Sequence, residues 1–293
     1  MPAYETLLKE LAHQPESVAS KLLGASLYLA PVLLRAGFYL AFFAALGSAK
    51  SAIPYEVISS NNVMIAMRDG IKLATDIYFP ASNRQIVVQP FPIILMRSPY
   101  NKTGAKSDAN FFAARGYIFV AQDTRGRYES EGVWHFLTDD GRDGVDTAEW
   151  LGRQTWSNGK IGTIGTSYVG GTQHAMALEK APQLETVIPV DAVSNTGYQS
   201  MRNAGAFEMR FWNWIYSIGL PNGSRQARDP GTAAILQEMS SNRILYLNQL
   251  PLRRGTTPLK LASEYEEWLV EAMKHGGNDS FWSQNNILDQ PKR

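Results

Sequence analysis

"IGTIGTSYVGG", residues 161–171, decides the fold. Its first half is a short apolar run suited to a buried strand, and its second half opens a helix. Between them Gly165, Thr166, Ser167, Tyr168, Val169 and Gly170 spell G-x-S-x-x-G. A serine at the apex of a sharp strand-to-helix turn needs small neighbours, because side chains there would collide with the adjoining elements. Such a turn lifts the hydroxyl above the carboxyl edge of a sheet, where open α/β sheets bind ligands. It also leaves the Tyr168 backbone N–H at the helix start, aimed at a developing oxyanion. The commoner form of the motif has glycine two residues after the serine, whereas here Val169 holds that place. A structural serine in a tight turn is the plainer alternative.

Outward from this turn the chain alternates. "VMIAMRDGIKLATDIYFP" (63–80) reads as two strands around Arg68-Asp69-Gly70, with Asp-Gly as the hairpin signal. "FPIILM" (91–96) and "YIFVAQD" (117–123) are continuous apolar runs, as expected of strands buried on both faces. Between them "SDANFFAARG" suits a short helix with Ser107 or Asp108 as cap and Gly116 beyond its end. "DGRDGVDTAEWL" spaces Val145, Ala148 and Leu151 as one helix face. Residues 159–164 form a further buried strand, 168–180 a helix and 185–190 a last buried strand. The expected class is α/β, a parallel sheet with helices on both faces. After about residue 195 the rhythm stops, and residues 204–290 read as helical, a cap over the site. The expected organisation is an extension over 1–54, a core over 55–198 and a helical cap segment over 199–293.

Composition narrows the chemistry. Lys and Arg number 28 against 27 Asp and Glu, so no basic excess calls for a nucleic-acid partner. There is no cysteine, which removes thiolate metal sites and a cysteine nucleophile. None of His13, His135, His174 and His275 pairs at metal-ligand spacing, so no metal and no cofactor is expected. Residues 22–34 and 36–49 are apolar runs split by Arg35. Neither reaches the roughly 20 residues of a membrane span. They read as a signal or membrane anchor of a secreted, periplasmic or membrane-attached protein, or as a helical extension packed on a cytoplasmic domain.

"RDGIKLATDIYFP", "PIILMRSPYNK", "FFAARGYIFVAQDTRGRYESEG", "DDGRDGVDTAEWLGRQTWSNGKIGTIGTSYVGGTQ" and "AGAF", in that order over residues 63–207, resemble the cocaine esterase and X-Pro dipeptidyl-peptidase-like α/β-hydrolases. The resemblance implies cleavage of a small-molecule or short-peptide ester or amide through an acyl-serine at Ser167. It also implies that the Tyr100 hydroxyl is an oxyanion donor beside the Tyr168 N–H; by itself, Tyr100 reads as a buried aromatic at a strand end. Asp123, Arg125 and Arg127 are expected to knit the loop after their strand into an ion-pair network, and Trp212 and Trp214 to pack into the cap or line an acyl pocket. The family's α-amino acid ester hydrolases use a carboxylate cluster near the "AGAF" segment. Here Gln199, Ser200 and Arg202 occupy that region, which argues against a free α-amine as main determinant.

The acid and base are harder to place. In α/β-hydrolases they follow the serine. His174 lies two turns down the serine's own helix, and His275 ends a cap helix, where its charge suits the helix dipole. Asp279 and Asp289 follow His275, the reverse of the expected order. The expectation is therefore the N-terminal part of a serine hydrolase, weakly active or inactive alone. The rival is a non-catalytic, membrane-attached fragment or binding protein with a hydrolase-like core.

Overall fold

The computed structural model describes residues 55–198, 200–276, 279–283 and 286. The extension over 1–54, with its apolar runs, lies outside the described residues, as do Gln199 and Asp289. Among the described residues no helix is long and apolar enough to cross a membrane.

The sheet runs in the order β1 (Glu56–Ala66), β2 (Lys72–Ser82), β5 (Ile118–Asp123), β4 (Phe91–Ser98), β6 (Ser157–Thr166), β7 (Leu184–Val190), with the short β3 (Gln85–Ile86) beside β2. β4, β5, β6 and β7 pair in parallel. β1–β2 and β2–β5 are antiparallel, so the sheet is mixed rather than wholly parallel. The Asp69-Gly70 turn folds β2 back on β1, and β2 in turn meets β5 antiparallel through a long-range pairing.

Alternation along the strands feeds two cores. Ile93, Leu95, Ile118 and Val120 face α2 (Asp140–Gly152) and α3 (Tyr168–Leu178), meeting Ala148, Leu151 and Met176. Ile94, Met96, Phe119 and Ala121 face the other way, against Ala109 and Ala113 of α1 (Lys106–Ala113). The cap of α1 differs from expectation. Ala105 stands there, not Ser107 or Asp108, because a 3₁₀ turn over Lys102–Ala105 leads straight into the helix. The capping side chain sits upstream, where Asn101 Oδ1 accepts from the Thr103 N–H. β7 also differs, being the sheet's edge among the described residues: Ile188 is 52% and Val190 48% exposed, not buried.

Beyond β7 the chain is mostly helical: α4 (Met209–Trp214), a π turn over Ile215–Gly219, α5 (Pro230–Ser241), α6 (Arg243–Leu247), α7 (Ser263–Lys274) and α8 (Ser280–Ser283). One small hairpin, β8 (Arg202–Asn203) with β9 (Ala206–Phe207), interrupts it. An aromatic core joins this segment to the loops above the sheet. Trp134 stacks on Tyr265 at 4.7 Å, and Phe136 meets Phe211 edge-on at 4.7 Å.

Candidate active site

Ser167 sits between the end of β6 and the start of α3, at φ 61 and ψ −121. Outside glycine this region is sparsely populated, and holding it costs on the order of 1–3 kcal/mol. The surrounding packing supplies the constraint. A Cβ on Gly165 would fall 2.1 Å from Val169 Cγ1, and one on Gly170 would fall 2.4 Å from Ala192 Cβ. The glycines are therefore required by close approach, as the motif implied. The Ser167 N–H donates to Val190 O at 2.9 Å, tying the turn to β7.

Gln173, one turn and a half along α3, braces the same turn. Only 2% of it is exposed. Its Nε2 donates to Gly165 O at 3.2 Å, Val169 O at 3.2 Å and Ile188 O at 3.3 Å. Its Oε1 accepts from Thr163 Oγ1 and the Ile188 N–H, each at 3.0 Å. A single amide thus holds the backbone two residues before and two residues after Ser167.

The Tyr168 side chain points away from solvent into a buried polar knot. Its hydroxyl donates to Asp140 Oδ2 at 2.9 Å and accepts from Trp134 Nε1 and the Leu137 N–H, each at 3.2 Å. Asp140 lies 3.6 Å from Arg97 Nη2. Burial pushes its carboxyl up to about 6, despite the Arg97 charge and the tyrosine hydrogen bond. As the first residue of α3, Tyr168 has a backbone N–H without an intrahelical acceptor.

Above the turn lies a cavity of about 370 Å³ lined by Tyr100, Ser167, Tyr168 and Trp214 among others. Ser167 is exposed toward it. Tyr100 follows β4 and packs edge-on against Trp214 at 6.2 Å and Tyr168 at 6.5 Å. Burial raises its hydroxyl above the ordinary tyrosine value, while hydrogen bonds with Ser167 and Trp214 pull it back down. So the three residues singled out by sequence, Ser167, Tyr100 and Tyr168, converge on one cavity.

Other expectations divide. Trp214 lines the cavity, but Trp212 is 2% exposed in the aromatic core and does not. The expected ion-pair network of Asp123, Arg125 and Arg127 is three separate arrangements, because each side chain leaves the loop in its own direction. Arg125 pairs with Asp69 at 2.7 Å and Asp143 at 2.6 Å. Asp123 faces Lys102 at 3.7 Å. Arg127 bonds to carbonyls and a phenol. Sequence reading missed Phe136, Phe211, Arg210 and the stretch 191–195, all in the cavity wall. The stretch follows the carboxyl end of β7, the signal that could have marked it. Asp191 is the one carboxylate among the described lining residues.

None of the described histidines lines the cavity. His174 Nδ1 is 3.0 Å from Val193 O. His275 is held by Asp279 at 2.6 Å and Glu271 at 3.2 Å, which raise its affinity for a proton. His135 lies 3.7 Å from Asp139. Arg202 binds Met273 O at 2.6 Å and Gly205 O at 2.6 Å, outside the cavity wall.

The family model for X-Pro dipeptidyl-peptidase (S15 family) matches residues 69–293. Cocaine esterase of Rhodococcus sp. (strain MB1 Bresler) is 30% identical over 246 residues, 79% of this chain and 41% of the esterase. A solved α-amino acid ester hydrolase is 26% identical with a TM-score of 0.55, covering 82% of this chain and 41% of that one. An aminopeptidase from the marine sediment archaeon Thaumarchaeota archaeon is 25% identical with a TM-score of 0.52, covering 80% and 40%. The chain thus spans about 41% of the length of the first two. A strand–serine turn–helix on a mixed sheet, with the family match running over the sheet and the helical segment beyond it, places this chain in the X-Pro dipeptidyl-peptidase (S15) family of α/β-hydrolases.

Proposed function

We propose that Ser167 is the nucleophile of an ester or amide hydrolase acting through an acyl-enzyme. Its Oγ adds to the substrate carbonyl and its proton passes to a base; the leaving group departs with a proton, and water then cleaves the acyl-serine. The observation that carries this reading is the strained Ser167 backbone at the mouth of the cavity, with the Tyr168 N–H and the Tyr100 hydroxyl beside it. Both donors are neutral, so they strengthen as charge develops on the carbonyl oxygen without trapping the ground state.

The aromatic wall of Tyr100, Phe136, Phe211 and Trp214 favours a compact apolar acyl group. A single lining carboxylate, Asp191, fits a neutral ester better than a substrate recognised by its free amine. We assign the base and its acid to residues other than those described around the cavity. The absence of a histidine from the described lining also favours a second reading, a hydrolase-like binding protein.

Stopped-time assays with p-nitrophenyl acetate, butyrate and benzoate, and with Ala-Pro-p-nitroanilide, separate these. The hydrolase reading expects ester-derived p-nitrophenol up to about one equivalent per chain, absent from Ser167→Ala, and little release from the anilide. Equal release from parent and Ser167→Ala would instead support the binding protein.

A further inference from the structure

Arg127 is fully buried, with 0% exposure, yet has no carboxylate within ion-pair distance among the described residues. The other arginines of this region are conventional: Arg97 lies beside Asp140 and Asp143, and Arg125 beside Asp69 and Asp143. Burying a guanidinium without a counter-ion is costly, and only charge-assisted hydrogen bonds of good geometry offset it. Arg127 has four hydrogen-bond acceptors, and they come from three distant segments. Nε donates to Pro99 O at 3.0 Å. Nη1 donates to Gly219 O and to the Tyr265 hydroxyl, the latter at 2.8 Å, and Nη2 donates to Asn222 O.

Pro99 is the residue before Tyr100. Gly219 and Asn222 lie in the turn after α4, and Tyr265 lies on α7. The planar fork of one side chain therefore fixes the turn that carries Tyr100 against the helical segment that closes the cavity. A neighbouring bond runs the same way, from the Tyr128 N–H to Gly223 O at 2.7 Å.

We infer that Arg127 is a positioning residue: it latches the Pro99–Tyr100 turn to the helical segment, so that docking of that segment and placement of the Tyr100 hydroxyl form one coupled element. This rests on the reading of Tyr100 as an oxyanion donor. The uncompensated charge also lies close enough to act on that hydroxyl. Burial dominates and raises Tyr100, while Arg127 acts in the opposite direction, toward a better donor. Lysine cannot replace the arginine here, because four acceptors on three divergent segments need the fixed spread of the guanidinium.

The test has two arms on the 293-residue chain. In the first, amide hydrogen exchange is measured in the parent, Arg127→Met and the milder Tyr265→Phe, which removes one acceptor from the cap side. The expected result is that exchange at Tyr100 and Lys102 accelerates together with exchange over residues 219–224, by similar factors and less in Tyr265→Phe. Acceleration over 219–224 with Tyr100 and Lys102 unchanged, in either variant, overturns the coupling. In the second arm, the rate of Ser167 phosphonylation by a fluorophosphonate is measured in a double-mutant cycle with Tyr100→Phe. A positioning role expects Arg127→Met to slow labelling at least tenfold, and to add almost nothing once Tyr100 is Phe. Additive losses overturn it. Failure of the parent to label at all would count against Ser167 as nucleophile, and the exchange arm would still decide the latch.

Discussion

Tyr168 presents two faces to the site, and substitution can separate them. Tyr168 lines the cavity, and its backbone N–H is the proposed oxyanion donor, whereas its hydroxyl lies in the buried knot with Asp140, Trp134 and Leu137. Tyr168→Phe keeps the ring and the amide and deletes one oxygen. Two buried N–H donors and one carboxylate oxygen then lose a partner. Each orphaned group costs on the order of 1–3 kcal/mol, less where water or a small shift repairs it. A loss of about 3 kcal/mol is expected, large against a typical total of 5–15 kcal/mol. It carries a pH signature. The tyrosine hydroxyl stabilises ionised Asp140, whose carboxyl titrates at about 6, so the loss should be greater at pH 8 than at pH 5. Urea melts at the two pH values measure it. Fluorophosphonate labelling of Ser167 in the folded variant should stay within a few-fold of the parent. Tyr100→Phe is the converse: it should cost about 1 kcal/mol, because the Ser167 and Trp214 groups it leaves line the cavity, yet slow labelling by roughly 10²–10³. Loss of labelling in folded Tyr168→Phe, with labelling intact in Tyr100→Phe, would refute the division of roles.

Gly170→Ala places a Cβ 2.4 Å from Ala192 Cβ, so α3 must move off β7. A cost of about 1–3 kcal/mol is expected, with slower Ser167 labelling, checked by melts and intact mass. Gln173→Met keeps the shape but removes the bonds to Gly165 and Val169. Amide exchange over residues 165–171 should rise at least tenfold relative to strand β5, and an unchanged ratio would reject the brace. Asp123, buried beside Lys102 and Asp76, is raised by desolvation to about 6 from 3.8. A raised carboxyl binds its proton more tightly when folded. Its stabilising contribution is therefore complete below about pH 4 and lost as pH climbs through 6, about 3 kcal/mol at most. Asp123→Asn should flatten the stability–pH curve between pH 4 and 6, and an unaltered slope would mean that Asp123 does not titrate there.

What the sequence reveals and conceals follows from the range of the interactions. The turn at Ser167 is legible because its glycines stand within a few residues of the serine and Gly165 answers to Val169 close by, even though Gly170 answers to Ala192 beyond β7. The buried runs at 91–96 and 117–123 are legible for the same reason, since burial on both faces removes polar alternation. The antiparallel join of β2 to β5 leaves no local trace, because it depends on which edge the hairpin chooses. Arg127 looks like its neighbour Arg125 in sequence, but its partners stand 92 and 138 residues away, and no short-range pattern points to them. The cavity wall at 191–195 and 210–211 is similarly assembled from turns and short helices without a motif. Tyr100 was legible only through resemblance; from its own surroundings it is an aromatic residue after a strand.

The central claim is that Ser167 stands in a nucleophile turn with its oxyanion donors in place and its base supplied from elsewhere. Intact-mass labelling of the 293-residue protein with a fluorophosphonate, with and without added imidazole and alongside Ser167→Ala, tests it most directly. The account predicts one adduct, mapped to Ser167, formed slowly, accelerated by imidazole acting as an external base, and absent from Ser167→Ala. An adduct that persists in Ser167→Ala, or none from folded parent protein even with imidazole, would contradict it.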